Sequence, residues 1–237
     1  MYTYSVEGYV LSATDDNGHL LFADTYDSAG RIVSQQDAIP GHLEGTFQYD
    51  EVSQPGKIIT TYTNREGNRS TLIHDSKYHL VNKTDENGST VSYTYDENGN
   101  RISTTDANGN TSIFTYDKRG NCLGSTDAAG NTTTMTYDDR NNLLSITRPD
   151  GKSQNFSYDN KNNLVSLTDT AGNVSQYTYD DNSLMLYKTI AGQGTTCYTY
   201  ENGLLKTITD PTGVATTYTY DAVGRIIAIS DGAVNTS

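Results

Sequence analysis

A phenol beside a carboxylate recurs along this chain: Tyr95-Asp96, Tyr116-Asp117, Tyr137-Asp138, Tyr158-Asp159, Tyr179-Asp180 and Tyr220-Asp221, with Tyr200-Glu201 as a variant. Tyrosines beside Asp and Asn are good sugar-binding chemistry, and a repeated face would add avidity. Any two carboxylates on neighbouring hairpins could also form a glycosidase-like acid pair. In the stretch "DENGN", Asp96, Asn98 and Asn100 offer side-chain oxygens at alternating positions, and calcium takes six to eight oxygens. Four histidines (His19, His42, His74, His79) and two cysteines (Cys122, Cys197) complete the candidates for metal chemistry.

Each of these readings competes with a plainer one. A catalytic residue is not needed ten times over, no nucleophile-base-acid set stands out, and a turn accounts for nearly every Asp; no catalytic residue is assigned. The glycine of "DENGN" sits at the wrong place for an EF-hand loop and no distal bidentate Glu follows, so turn chemistry suffices. The histidines share no metal spacing with the cysteines. His74 and His79, five apart in a strand-like stretch, would point to opposite faces. Cys122 and Cys197 fall about seven strands, or roughly 34 Å, apart along a sheet, beyond the reach of a disulfide. The expectation is no metal and no cofactor.

Composition narrows the partners. The formal charge is −13, with Lys and Arg scattered singly, which excludes nucleic acid and disfavours an anionic membrane surface. No apolar run approaches the roughly 20 residues that span a bilayer, so membrane insertion is not expected. The start "MYTYSVEGYV" lacks the blocks of a signal peptide. Only 34% of residues are hydrophobic and there is no Trp, a poor recipe for a compact layered core.

The elements that must position the Tyr-Asp pairs follow from their spacing. From Tyr95 to Tyr200 the pairs recur every 21 residues, and Tyr220 follows after 20. Counting back reaches His74-Asp75, then Tyr49-Asp50, Tyr26-Asp27 and Tyr4 by looser steps, giving eleven copies. The extra residues near "QQDAIPGHLEG" and "DEVSQPGKIITTYTNREGN" are expected to be loop insertions or a bulged strand. Each copy holds two turn signals, "DENGN" or "DKRGN" after the pair and "DANGN" or "DAAGN" about ten residues on. Asp bonds the backbone at the turn entry, and Gly or Asn accepts the positive φ of a tight reversal.

Between turns the pattern has period two. Tyr93, Phe114, Met135, Phe156, Tyr177, Tyr198 and Tyr218 stand two places before the motif residue, with Ser or Thr always between. No helix face has that spacing. After the first turn, Ile102, Leu123, Leu144, Val165 and Leu186, then Ile146 and Leu167, continue the alternation against Ser103, Ser145 and Ser166. Each copy is therefore a β-hairpin with a tyrosine-rich face and a hydroxyl-rich face. The predicted fold is all-β: a long antiparallel meander of hairpins of about 21 residues. A flat ribbon of that many strands would be roughly 100 Å wide, so the sheet is expected to curl or spiral. One array covers residues 1–237, degenerate with insertions over 1–73 and regular over 74–237.

The motif Y-D-x-x-G-N-x-L/I, followed ten residues on by T-D-x-x-G-N, as in "YDENGNRISTTDANGNT" and "YDKRGNCLGSTDAAGNT", resembles the YD-repeat or Rhs-repeat family. Related repeats occur in bacterial Rhs and wall-associated polymorphic toxins, the C component of insecticidal toxin complexes, and animal teneurins. The resemblance implies a β-sheet wound into a hollow shell that, in toxin members, encloses a C-terminal toxic domain. It also implies a secreted or cell-surface setting, and as partners the remaining repeats and C-terminal domain of a larger parent. The family's core segment is not matched by "YDAVGRIIAISDGAVNTS", and Asp210-Pro211 occupies an ordinary second-turn position. The leading expectation is a non-enzymatic shell segment; the alternative is an adhesive or carbohydrate-binding module. A closed interior would make the tyrosine face core, an open one a binding strip. Open sheet edges invite self-association.

Overall fold

The structure, a computed structural model, describes residues 1–38 and 43–232. Among these residues the regular structure is twenty-two β-strands. The chain divides into two units, Met1–Phe114 and Thr115–Ser237. In both, successive strands pair antiparallel in sequence order.

In the first unit the meander runs from Tyr2–Tyr4 against Val10–Thr14, through Leu20–Tyr26 and Ile32–Gln36, to Thr90–Tyr95 against Arg101–Thr105. Strands Leu43–Asp50 and Lys57–Asn64 pair without a register shift from Gly45↔Asn64 to Asp50↔Ile59. The extra residues of "DEVSQPGKIITTYTNREGN" are thereby left to the loop between these strands. For "QQDAIPGHLEG", a register shift falls between Gln35 and Gln36, while residues 39–42 lie outside the described residues. In the second unit, Cys122–Thr126 pairs with Thr132–Tyr137 and the meander continues to Ala215–Tyr220 against Ile226–Asp231.

Both turns of a copy share one design. In the first, the Gly99 N–H donates to Asp96 O at 3.1 Å and the Asp96 N–H to Asn100 O at 2.9 Å, with Gly99 at φ 84°. In the second, Gly109, Asp106 and Asn110 repeat those bonds at 3.0 and 2.9 Å. This is a type I turn closed by a left-handed residue, a common short hairpin connection.

The two turns differ one residue further on. Thr105↔Thr111, Thr104↔Ser112 and Ser103↔Ile113 run in plain register beyond the second turn. Beyond the first, Tyr95 faces Arg101 and Thr94 faces Ser103, leaving Ile102 as an extra residue. Leu144, Val165 and Leu186 are extra in the same way. These residues do not continue a simple alternation, as their sequence pattern suggests; each is a β-bulge opposite the motif tyrosine. The bulge adds local twist and re-aims side chains, and no change of residue type marks it.

Beyond the bulge, aromatic or thioether residues face aliphatic ones: Met135↔Ile146, Phe156↔Leu167, Tyr198↔Ile208 and Tyr218↔Ile229. Such cross-strand pairs contribute roughly 0.2–1 kcal/mol each. On the opposite face, hydroxyls pair across strands, as Thr94 with Ser103 at 2.6 Å and Thr136 with Ser145 at 2.7 Å. Ala13 is the one buried hydrophobic residue among those described, and no large side chain is fully buried. The packing is lateral, strand on neighbouring strand; the motif tyrosines from Tyr26 onward are half covered, while Tyr2, Tyr4 and Tyr78 are exposed.

Candidate functional site: the first-turn edge

The Asp of each motif is held by its own turn. Asp96 Oδ1 accepts the backbone N–H of Asn98 and Asn100 at 3.0 and 2.8 Å, and Oδ2 accepts Nδ2 of Asn100 at 2.9 Å. Asp117 does the same with Arg119 and Asn121, Asp138 with Arg140 and Asn142, and Asp159 with Lys161 and Asn163. Asp180 accepts from Asn182 and Leu184 at 2.8 and 2.9 Å. Asp221 accepts from Val223 and Arg225, whose Nε reaches Oδ2 at 2.7 Å. Charge-assisted bonds of this kind favour the ionised carboxylate. The Asn121 amide, foremost among these donors, holds Asp117 down to about 2. Asp96, Asp138 and Asp159 are lowered for the same reason, by Asn100, Asn142 and Asn163. Both carboxylate oxygens of these turns thus already serve N–H donors, the opposite of a preformed oxygen cage for a hard cation.

The tyrosine reaches sideways into the preceding copy. The Tyr95 hydroxyl donates to the carbonyl of Leu80 at 2.8 Å; Tyr26, Tyr49, Tyr200 and Tyr220 do the same to Val10, Ile32, Met185 and Leu205 at 2.7–2.9 Å. The acceptor lies just past the preceding first turn, on a strand that the register brings alongside. Tyr137 instead sets its hydroxyl 3.9 Å from Met135 Sδ. Burial pushes the phenols of Tyr95, Tyr137, Tyr158, Tyr179 and Tyr200 up from the usual value. Tyr116 closes the strand Thr111–Tyr116 beside Asp117.

The residue that the tyrosine lies against varies. Tyr95 stacks on His79, centroids 4.7 Å apart, and Tyr26 stacks on Tyr9 at 5.1 Å. The Arg31 guanidinium sits 4.3 Å from the Tyr49 ring centroid and also pairs with Glu51. His79 is not in a strand: it closes the first turn between Arg69–Asp75 and Leu80–Thr84, its Nδ1 3.1 Å from Asp75 Oδ2. The Asp75-to-His79 turn chemistry, with Tyr78 at φ 64°, overrides the strand-like look of that stretch. His79 and its counterparts escape a search for metal spacing; their signal was their place four residues after the turn Asp, where several copies carry Asn.

Grooves open where consecutive first turns meet. One of about 580 Å³ is lined by Asp75, Lys77, His79, Tyr93, Tyr95 and Asp96. Smaller ones of about 360 and 320 Å³ lie at the corresponding places beside Tyr26 and Tyr220. Among the described residues no group of three or more His, Cys, Asp or Glu could hold a metal ion. Cys122 and Cys197 are free thiols.

The family model described as RHS Repeat matches residues 79–111, 116–153 and 198–233. No curated protein matches the sequence. Similar solved structures include TcdB2-TccC3, at 13% identity and a TM-score of 0.36 over 98% of this chain and 19% of that one. The Photorhabdus luminescens Tc holotoxin pore gives 13% and 0.31, over 93% and 18%. A porin-like protein from Bacteroides uniformis gives 16% and 0.32, over 78% and 92%. The chain spans about a fifth of the length of the first two.

Proposed function

We propose, for a chain that carries RHS repeats over those three stretches, a non-enzymatic role as one continuous repeat array, a segment of wall in a larger secreted or cell-surface protein. The observation that supports this reading is where the recurring motif spends its polar atoms. The Asp carboxylate is used on its own turn and, in five copies, the Tyr hydroxyl on the backbone of the preceding copy. A motif consumed in joining copies serves the sheet. The resemblance to YD and Rhs repeats supplies the rest of the proposal: the wall joins further repeats and encloses a C-terminal domain of its parent. Excising residues 74–232 from the full-length parent is expected to leave that domain open to limited proteolysis. Unchanged protection would remove the enclosing role.

The grooves between first turns favour a second reading, an adhesive module for cell-surface carbohydrate. Tyr93, Tyr95 and His79 offer ring faces beside Asp75 and Asp96, and the groove recurs in other copies. Saturable binding to intact wall polysaccharide in calorimetry would favour this reading over a purely structural wall. Self-association belongs to either reading, since Ile226, Ile227 and Ile229 stand 53%, 63% and 60% exposed on one strand. Light scattering is expected to show a mass that rises with concentration.

A further inference from the structure

Number each first turn from its Asp, or from Ser5 in the first copy, so that the left-handed residue is position 4 and the next is position 5. We infer that position 5 of one copy and position 4 of the following copy form a pairing rule that specifies which copy stacks on which. This goes beyond a wall of interchangeable repeats, and it holds or fails whatever the wall encloses.

Two kinds of pair obey the rule. In the first, position 4 of the next copy carries an acceptor for three of the four copies with Asn at position 5; the fourth, Asn100, is followed by Gly120 and lies outside the rule. Nδ2 of Asn121 donates to Asn141 Oδ1 at 2.9 Å, that of Asn142 to Asn162 Oδ1 at 2.9 Å, and that of Asn163 to Ser183 Oγ at 3.1 Å. The same three amides also donate to their own Asp117, Asp138 and Asp159, each at 2.9 Å. An amide nitrogen has two N–H groups, and here one holds the turn and the other the next copy. Position 4 accepts an unfavourable backbone for this purpose: Asn141, Asn162 and Ser183 sit at φ 67°, 66° and 63°, where glycine is the ordinary choice.

In the second kind, position 5 is a large ring and position 4 of the next copy is glycine. A Cβ on Gly30 would lie 2.2 Å from the Tyr9 hydroxyl oxygen, and one on Gly99 would lie 3.1 Å from His79 Nε2. Small amide meets side chain; large ring meets bare backbone.

The other edge of the sheet is the internal control. The second turns have the same backbone, yet a Cβ on Gly88, Gly109, Gly130, Gly151 or Gly172 would meet nothing within 4 Å. Their Asn110, Asn131 and Asn173 bond their own Asp106, Asp127 and Asp169. Turn chemistry alone therefore does not produce copy-to-copy pairing at these positions. The bulge opposite the tyrosine lies beside the first turn, though register shifts also fall beside the second turns at Ala13/Thr14 and Gln35/Gln36.

Two double-mutant cycles in the full chain test the rule, read as thermal midpoints. Asn141→Gly is expected to lower the midpoint by on the order of 2–4 °C, a lost bond outweighing a relaxed backbone. In an Asn121→Ala background the same change is expected to raise it, because only the relaxation remains. Gly99→Asn is expected to lower the midpoint strongly beside His79 and weakly beside His79→Asn. Gly130→Asn on the second-turn edge reports the cost of a left-handed Asn alone. Equal effects of Asn141→Gly in both backgrounds, or of Gly99→Asn with and without His79, would overturn the inference. Glycine is at home at position 4, so the Asn141→Gly arm stays readable if Gly99→Asn fails to fold.

Discussion

At the scale of single residues, the tyrosine and the aspartate do different work. The aspartate acts within five residues of itself, accepting backbone N–H groups at its third and fifth turn positions. The tyrosine acts across copies, on a carbonyl 15 to 17 residues earlier. Removing only the hydroxyl separates its polar role from its packing role. Tyr95→Phe is expected to cost about 1 kcal/mol, the net value of one half-buried hydrogen bond. Tyr137→Phe is expected to cost less, since its hydroxyl meets a thioether at 3.9 Å rather than a carbonyl. Denaturant unfolding of the two variants, with unchanged slopes, measures the difference.

At the scale of elements, a regular copy such as Tyr137 to Tyr158 is two strands, two nearly identical turns and one bulge. Excising residues 138–158 removes one 21-residue period and leaves Tyr137 followed by Asp159. The partners of the strand Thr132–Tyr137 are then Leu164 and Leu167 in place of Leu143 and Ile146, in the same register. The shortened chain is expected to keep its β circular-dichroism spectrum with a small drop in midpoint, as nearest-neighbour repeat stability predicts. Excising residues 138–157 instead keeps Tyr158 before Asp159 but slips Thr132–Tyr137 by one residue, which turns Met135 to the hydroxyl face, and is expected to lower the midpoint far more. The turns were readable from "DENGN" and "DANGN" because their bonds close within five residues. The bulge was not, because Ile102 or Leu144 is the same kind of residue that an unbroken strand would carry.

At the scale of the whole molecule, stability rests on many similar small contacts with a common pH dependence. A carboxylate whose native pKa lies below its unfolded value, near 3.9, stabilises the fold above that pH. It loses the contribution as pH falls through the native value. For Asp117, held at about 2, the window is roughly pH 4 down to 2. Asp96, Asp106, Asp127, Asp138, Asp159 and Asp169 are lowered as well, each first by the side-chain amide at turn position 5. The half-buried phenols of Tyr26, Tyr49, Tyr95, Tyr158 and Tyr179 have values raised by desolvation, so their contribution is full below about pH 10 and is lost as pH rises beyond it. The thermal midpoint is expected to be level between these limits and to fall on both sides. A midpoint that declines steadily from neutrality to pH 4 would contradict this assignment.

The 21-residue spacing, the strand alternation and the Asp-Gly turns are local, and the sequence by itself determined from them an all-β meander of hairpins with two faces. It also located every motif tyrosine at the end of a strand. Which atoms those tyrosines touch was decided only by the tertiary structure, because Leu80 and Tyr95, or Asn121 and Asn141, meet through register and not through neighbourhood in the chain. The register turns on a bulge that has no residue signature. The same holds for His79, which reads as one histidine among four until Tyr95 and Gly99 are placed against it.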